Sequence, residues 1–392
     1  SMRGDTEPPF LLRGKGKLGP VPQSGLRIAL VATLRDVEDQ LLLWLEWFRI
    51  IGFAHVFLYF DDPPCDKVGI EDARATYSAD FISCFMHTPD LREEWQELRS
   101  WNQFAAYTDD RMCRQLLNIA HACHRAKQAR PGTPEAVDWM LHLDHDELFL
   151  PPAQGLQAHF RHLEMGGCRL CLYQNFEAVP QEHSMKPFLD ISLFKVPSGR
   201  VPRTPLGAAG LKFWADRTKA GNYFLYYDNG KSAVRIRQPS DREIAPVSVH
   251  LLYPPEDLED MMTSTAAWTN FPEHELQEMQ LDWFSSRHEE VVAGAKVLHY
   301  PATHFDRLFR KYDHLKNFPS IRFGGDLVVP PSFHLEARDC YLEFKDIGED
   351  LQRQKLKELL EKAAFLNTDA EVQSQLETGS VVILTTVCES LR

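Results

Sequence analysis

Two aspartates one residue apart, Asp144 and Asp146, stand in the run Trp139-Met-Leu-His-Leu-Asp144-His145-Asp146-Glu147-Leu-Phe-Leu-Pro151. Carboxylates at that spacing can converge on one hard divalent cation, Mn²⁺ or Mg²⁺, which in turn holds phosphate oxygens. The apolar run before them and Pro151-Pro152 after them read as a buried strand, and ligands of open α/β sheets gather just beyond the carboxyl ends of such strands. A metal–diphosphate site is the chemistry this suggests. The competing reading is a solvated acidic turn.

Composition narrows the substrate. The chain has 392 residues and a formal charge of −13 from 43 basic and 56 acidic residues. That balance argues against a nucleic-acid or anionic-membrane surface, while a local basic pocket for phosphate stays compatible with it. Of eight cysteines, Cys168 and Cys171 alone have C-x-x-C spacing, and they fall in an apparent strand where residues three apart face opposite ways, so buried free thiols are expected. No run of eighteen apolar residues is present, so no membrane span is expected. The opening does not read as a signal peptide, and Ser1-Met2 leaves an upstream anchor open. The compartment stays open with it: a secretory or Golgi lumen if an anchor was removed, the cytoplasm otherwise.

The elements that must position the acids follow an α/β pattern. Residues 1–25 form a Gly/Pro-rich leader. A strand is expected over Leu26–Thr33, then a helix from Val37 to Ile51 with Asp36 as N-cap and Gly52 as stop, then a strand His55–Phe60 ending in the acidic, proline-broken loop Asp61–Asp66. Another strand is expected near Phe81–Met86, and helical periodicity over Glu93–Lys127 leads to the strand at Trp139. After Pro152 the runs Leu170–Phe176, Phe188–Lys195, Tyr223–Tyr227, Ala233–Ile236 and Val247–Leu252 read as short strands. Residues 256–290 and Leu351–Phe365 read as helices. The expected fold is α/β, a mixed and mainly parallel sheet flanked by helices with a strand-rich second half. Its divisions are 26–152 for the nucleotide, 153–320 for an acceptor, and a helical extension 321–392.

Several residues are candidates on their own chemistry. Lys231 and Arg235 could pair with phosphate, Arg by a bidentate fork, or form ordinary surface ion pairs. Asp61 could accept hydrogen bonds from a base or ribose, or serve a turn. Trp101, Trp214, Tyr223, Phe224, Tyr226 and Tyr227 offer flat faces for sugar rings, with Asn222 and Asn229 for hydroxyls, although most such rings belong to a core.

In order along the chain these residues resemble the family 92 and family 2-like glycosyltransferases of the GT-A fold. The resemblance rests on Arg35-Asp36-Val37 to Trp44, Gly52, Tyr59 and Asp61 to Asp66, on Asp144-His145-Asp146-Glu147, on Gly230-Lys231-Ser232-Ala233-Val234-Arg235 with Val249-His250, and on Leu298-His299-Tyr300 with Lys311. Val37 stands where the family usually has Glu, and Phe48 where it often has His. The resemblance spans roughly residues 26 to 312. It implies transfer of a sugar from a nucleotide diphosphate, most often a UDP-sugar, to a hydroxyl of a glycan or glycoconjugate. Asp144 and Asp146 would hold the metal, with His250 completing its shell and His299 as competitor. Thr33 and Arg35 of the first loop, with Asp61, Asp144, Lys231 and Arg235, would contact the nucleotide. An inverting reaction also needs a base across the sugar from the metal, for which Glu177, Asp216 and Asp228 are candidates. If none of these serves, a retaining course becomes the better reading. A phosphohydrolase or nucleotidyltransferase using the same acids, or a sugar-binding relative without turnover, remain the alternatives.

Overall fold

The strand Ile28–Leu34 (β1) has no accessible side, because Ile-Ala-Leu-Val-Ala-Thr-Leu is apolar on both faces of the pleat. Such a strand must be covered by helices on both sides. The computed structural model describes residues 17–21, 25–37, 40–237, 244–246, 248–250, 252–253, 294–301, 303, 305–315, 321–322, 327–328 and 331–392. β1 pairs in parallel with His55–Phe60 (β2) on one side and Trp139–His142 (β4) on the other, and β2 pairs in parallel with Ile82–Met86 (β3). Two later strands complete this sheet, Leu170–Tyr173 (β6) and Lys231–Arg235 (β9), in the order β3-β2-β1-β4-β9-β6 with β9 antiparallel to β4. The chain winds outward from β1 through β2 to β3 and then returns to β4 on the other flank of β1. The carboxyl ends of β1 and β4 are therefore the switch point where ligands collect in open sheets.

The helix Leu41–Ile51 (α1) buries Trp44, Leu45, Trp47 and Phe48. Its tryptophans also donate to Glu147–Leu150 (β5), Trp44 Nε1 to the Glu147 carbonyl at 2.8 Å and Trp47 Nε1 to the Phe149 carbonyl at 2.9 Å. Gly52 ends α1 at φ 98°, a left-handed conformation that glycine adopts without strain. The start departs from expectation: the helix begins at Leu41, and Asp36 sits at φ 56° instead of capping it. The backbone N–H of Val37 donates to the buried Asp66 carboxylate at 3.3 Å, which holds the preceding loop in an unwound path. Asp66 itself precedes the helix Lys67–Thr76 (α2). Of the expected leader, Leu18 exchanges backbone hydrogen bonds with Thr76 and Ser78, at 2.7 and 2.8 Å.

The single helix expected over Glu93–Lys127 is three pieces: Pro89–Trp95 (α3), Trp101–Phe104 (α4) and Arg111–Gln128 (α5). A fresh helix starts because Asp110, in an extended conformation, accepts from the N–H groups of Met112 and Cys113 at 2.7 and 3.4 Å. Beneath it, Tyr59 Oη meets His121 Nδ1 at 2.7 Å and His121 Nε2 meets Glu94 at 2.9 Å. The helix Leu156–Met165 (α6) follows β5.

His55 contributes a pH dependence. Burial pushes its imidazole down to about 4 from an ordinary 6.5, and its ring nitrogens meet the Asp80 carbonyl at 3.2 Å and Ser83 Oγ at 2.9 Å. Below its ordinary value the unfolded chain takes up a proton that the folded chain refuses, so this contribution is complete above pH 6.5 and is lost as the pH falls toward 4. At 1.36 kcal/mol per unit the site alone is worth about 3 kcal/mol. Replacing His55 by Gln is expected to flatten the decline of melting temperature between neutral pH and about pH 4.5. An equally steep decline in that variant would rule the site out.

Two compact units divide the chain, residues 1–172 with 231–281 and 389–392, and residues 173–230 with 282–388. The expected boundary at residue 152 thus falls inside the first unit, because α6, β6 and β9 serve the first sheet. Within the second unit Asn175–Ala178 (β7) and Leu193–Lys195 (β8) are antiparallel. Further on, Ala245–Pro246 (β10) and Leu252–Tyr253 (β11), both in the first unit, form an antiparallel pair instead of the continuous strand expected over Val247–Leu252. In the second unit Lys296–His299 (β12) lies parallel to β7, Ile321–Arg322 (β13) pairs with Leu327–Val328 (β14), and Val381–Ile383 (β15) runs antiparallel to β8. A helix, Pro187–Asp190, occupies the start of the expected strand Phe188–Lys195, and no strand forms over Tyr223–Tyr227. The expected helix 256–290 lies outside the described residues. Helices Phe305–Leu315, Phe333–Phe344 and Glu349–Ala364 bury Leu308, Tyr312, Phe333, Leu356 and Leu360 together. All eight cysteines are free, Cys171 buried among them. Among the described residues no helix is long and apolar enough to cross a membrane.

Candidate functional site

β4 is buried throughout and ends at His142, so the chain emerges from the sheet at Leu143 and turns through Asp144, His145 and Asp146 into β5. The turn is closed from both sides: Glu147 N donates to the Asp144 carbonyl at 3.1 Å, and Asp144 N donates to the Glu147 carboxylate at 2.8 Å. Asp144, His145 and Asp146 are left half-buried at its apex, whereas Glu147 is fully enclosed.

The antiparallel register of β9 on β4 brings Lys231 to this end of the sheet. Its side chain is 0% exposed, with Nζ 2.7 Å from Asp144 Oδ2 and 3.6 Å from Glu147 Oε2. Nζ also donates to the Val249 carbonyl at 3.2 Å. Asp144 Oδ1 accepts from Gln115 of α5 at 2.8 Å. His142 Nδ1 lies 2.8 Å from the same Val249 carbonyl, and since a carbonyl can only accept, the Nδ1 atom carries the proton.

Charge at the site follows from this packing. Burial works against an ionised Asp144, but the Lys231 ammonium, with His142 and His250 nearby, holds its carboxyl well below the usual carboxylate range. Burial pushes the Glu147 carboxyl far up, with Lys231 opposing. For Lys231 burial disfavours the charge, yet Asp144 and Glu147 outweigh it and raise the pKa. Burial and the neighbouring Lys231 charge push His142 down to about 3.

The other nucleotide-side candidates are placed unevenly. Thr33 is buried and accepts from Asn118 at 2.9 Å. Arg35 reaches across the loop to Asp62 at 3.1 Å. Asp61 is committed to Arg114 of α5 by a two-pronged contact at 2.5 and 2.7 Å, so its oxygens hold a helix in place where a base or ribose contact was expected. Arg235 pairs opposite Trp139, at the far end of β4, and meets Glu164 at 3.1 Å. That position removes it from phosphate binding, a correction to the expectation. His250 donates its backbone N–H to Ser248 at 3.1 Å, and its charge is felt by Asp144.

The remaining candidates belong to the second unit. His299 is buried at the end of β12 with its ring 4.6 Å from that of Tyr227. Glu177 is buried in β7, paired with Lys195 and accepting from Leu225 N at 2.9 Å, so it is a structural acid instead of a base. Asp216 forms an exposed ion pair with Lys212 at 2.6 Å, one helical turn away on the same helix. Asp228 is exposed. Trp214 and Phe224 are core residues, Trp214 and Tyr223 flank the Lys195 ammonium, and Tyr226 and Tyr227 are half-buried.

Gln115, Arg114 and Asp66 carry parts of this arrangement that no spacing announces, because each partner lies 29 or more residues away. Glu147 was visible in the acidic run, but its enclosure was not. Gly230, just before Lys231, has φ 69°, and a Cβ there would meet the Tyr173 carbonyl oxygen at 2.0 Å. Both facts require glycine. Gly230→Ala is expected to cost about 3 kcal/mol or more through backbone strain and displacement. Chemical denaturation of the variant measures it, and a loss under about 1 kcal/mol would show that the turn adapts.

Among the described residues no group of three or more His, Cys, Asp or Glu side chains is placed to hold a metal ion. Two half-buried aspartates at one apex still suit an ion of the Mg²⁺ or Mn²⁺ kind, which takes one or two carboxylates and fills its shell from substrate phosphates and water. The site fits a cation that arrives with a diphosphate better than one bound alone.

No family model matches the chain. It is 26% identical over 233 residues to glycosyltransferase-like At2g41451 of Arabidopsis thaliana, covering 56% of this chain and 49% of that protein. It is 23% identical over 224 residues to glycosyltransferase-like At3g57200 of the same plant, covering 54% and 41%. The chain thus spans about half the length of the curated relatives it matches. Among solved structures, the mannosyltransferase Ktr4p from S. cerevisiae in complex with GDP is 8% identical at a TM-score of 0.23, covering 56% of this chain and 62% of that one. Core-mannan synthase A from Aspergillus fumigatus, in a Mn/GDP form, is 12% identical at a TM-score of 0.23, covering 57% and 66%. A score that low carries neither donor nor metal across to this chain. By sequence the chain is a relative of plant proteins named glycosyltransferase-like, and its fold is the mixed, mainly parallel α/β arrangement that such a resemblance implies.

Proposed function

We propose that this chain is a metal-assisted glycosyltransferase that moves a sugar from a nucleotide diphosphate, UDP in our reading, to a hydroxyl of a glycan or glycoconjugate. One observation carries the reading: Asp144 and Asp146 emerge together at the carboxyl end of β4, beside the β1 loop, at the switch point of the sheet. Asp146 and Asp144 would hold the cation, with His250, whose field reaches Asp144, completing its shell. When bound, Mn²⁺ or Mg²⁺ supplies Lewis-acid stabilisation of the departing diphosphate. The chain's own groups do the rest. Lys231 fixes the orientation of Asp144 from inside the sheet, and Arg35, tied to Asp62, is the half-buried cation of the first loop. For the acceptor side, Asp216 is exposed but engaged by Lys212, and the exposed Asp228 is the base we assign.

A thermal-shift panel of UDP- and GDP-sugars, each with Mn²⁺ and with a chelator, tests this, since a ligand bound only by the native state raises the melting temperature. The expected outcome is a Mn²⁺-dependent rise with UDP-sugars, followed by slow release of UDP and free sugar. Release of UMP or inorganic phosphate would instead point to a phosphohydrolase or nucleotidyltransferase. Binding without any turnover would point to a sugar-binding relative.

A further inference from the structure

Three acids and one lysine share the end of β4, and the lysine is fully enclosed. Lys231 has no exposed surface, its ammonium touches Asp144 at 2.7 Å, and it lies 3.6 Å from Glu147, which is equally enclosed. An ammonium with that degree of burial is retained only against paired charge and hydrogen-bond acceptors. Here the acceptors are Asp144 and the Val249 carbonyl, and the Val249 carbonyl is itself fixed by His142. Asp144 is turned inward as a result, one oxygen on Lys231 and the other on Gln115.

We propose that Lys231 is a resident counter-ion, a positioning residue that supplies inside the protein the positive charge needed to bring these carboxylates together. The strand end is then assembled in the absence of any metal, and a divalent cation is recruited only together with a nucleotide diphosphate. This rests on the reading of the strand end as a diphosphate site, which it deepens by stating the order of binding. A site whose carboxylates were gathered by the metal itself would behave in the opposite way. Removing the metal would leave buried like charges unbalanced and loosen the fold.

The test follows melting temperature for the full chain in EDTA and in Mn²⁺ alone, without nucleotide. The wild-type protein is expected to melt within about 1 °C in the two conditions, because no metal is needed to balance the site. Lys231→Met is expected to melt about 5 °C or more lower in EDTA, since truncating one partner of a buried pair strands the other charge. Mn²⁺ alone should then raise the melting temperature of that variant, replacing the missing charge. The double variant Asp144→Asn with Lys231→Met removes both charges and is expected to recover most of the loss. It also keeps the proposal testable if the single variant does not fold. Wild-type protein that destabilises in EDTA overturns the proposal, as does a Lys231→Met protein indifferent to Mn²⁺, or a double variant no more stable than the single one. Addition of UDP with Mn²⁺ to wild type separates the two ideas. No shift there defeats the donor reading, while the chelator and double-variant results still judge the counter-ion.

Discussion

Asp146→Asn is expected to weaken Mn²⁺-dependent binding of UDP by about 100-fold or more while leaving the melting temperature of the free protein within about 1 °C. The two halves of that expectation come from different facts. Asp146 sits half-buried at the apex of the turn beside Asp144, and an amide offers a metal one neutral oxygen in place of a charged carboxylate. Its field reaches Lys231 and Glu147, but it is not the acid that closes on the lysine. Asp144→Asn should behave differently. Its carboxylate is the nearest partner of a fully enclosed ammonium, so the same change there costs stability as well as ligand. Titration calorimetry of both variants, beside their melting curves, separates the roles. Equal affinity for UDP with Mn²⁺ in wild type and Asp146→Asn would remove the metal from the proposed reaction.

Arg114→Met is expected to destabilise the protein by about 3–5 kcal/mol. The Arg114 side chain is 11% exposed and that of Asp61 2%, and the pair spans 53 residues, joining α5 to the end of β2 by two short charge-assisted bonds. Burial by itself would raise the Asp61 carboxyl, and the arginine overturns this and lowers it. Without Arg114 the carboxylate remains enclosed beside a residue that cannot neutralise it. The double variant Asp61→Asn with Arg114→Met should regain much of the loss, because no charge is stranded. Denaturant midpoints for the four proteins of the cycle give the coupling directly. Independent, additive losses would show that the contact contributes little beyond its separate halves.

The contrast between these residues explains what could be read from sequence. β1, β2 and β4 were legible because strands buried on both faces are runs of apolar residues, and Gly52 marks its helix end through a conformation few other residues accept. The acid pair was legible because its two members are adjacent in the chain. The start of α1 was not, since it depends on Asp66 reaching Val37 across 29 residues. Lys231 and Arg235 were read together, four apart in a turn-to-strand segment, as partners for one phosphate group or as ordinary surface ion pairs. On a strand four residues span about 13 Å, and the same spacing puts one at the acids and the other at the opposite end of the sheet. Glu177 had the right chemistry for a base, but its partner Lys195 comes from another strand, β8, and encloses it.

The indole of Trp44 donates to the backbone carbonyl of Glu147, at the foot of the acidic turn. Indole emission responds to the polarity and field around the ring, so the protein carries an intrinsic optical reporter wired to the place where a cation and its nucleotide are proposed to dock. Subtracting the signal of a Trp44→Phe protein isolates that reporter from the seven other tryptophans. Occupancy of the site then becomes visible in a fluorimeter, with no label attached and no product to detect.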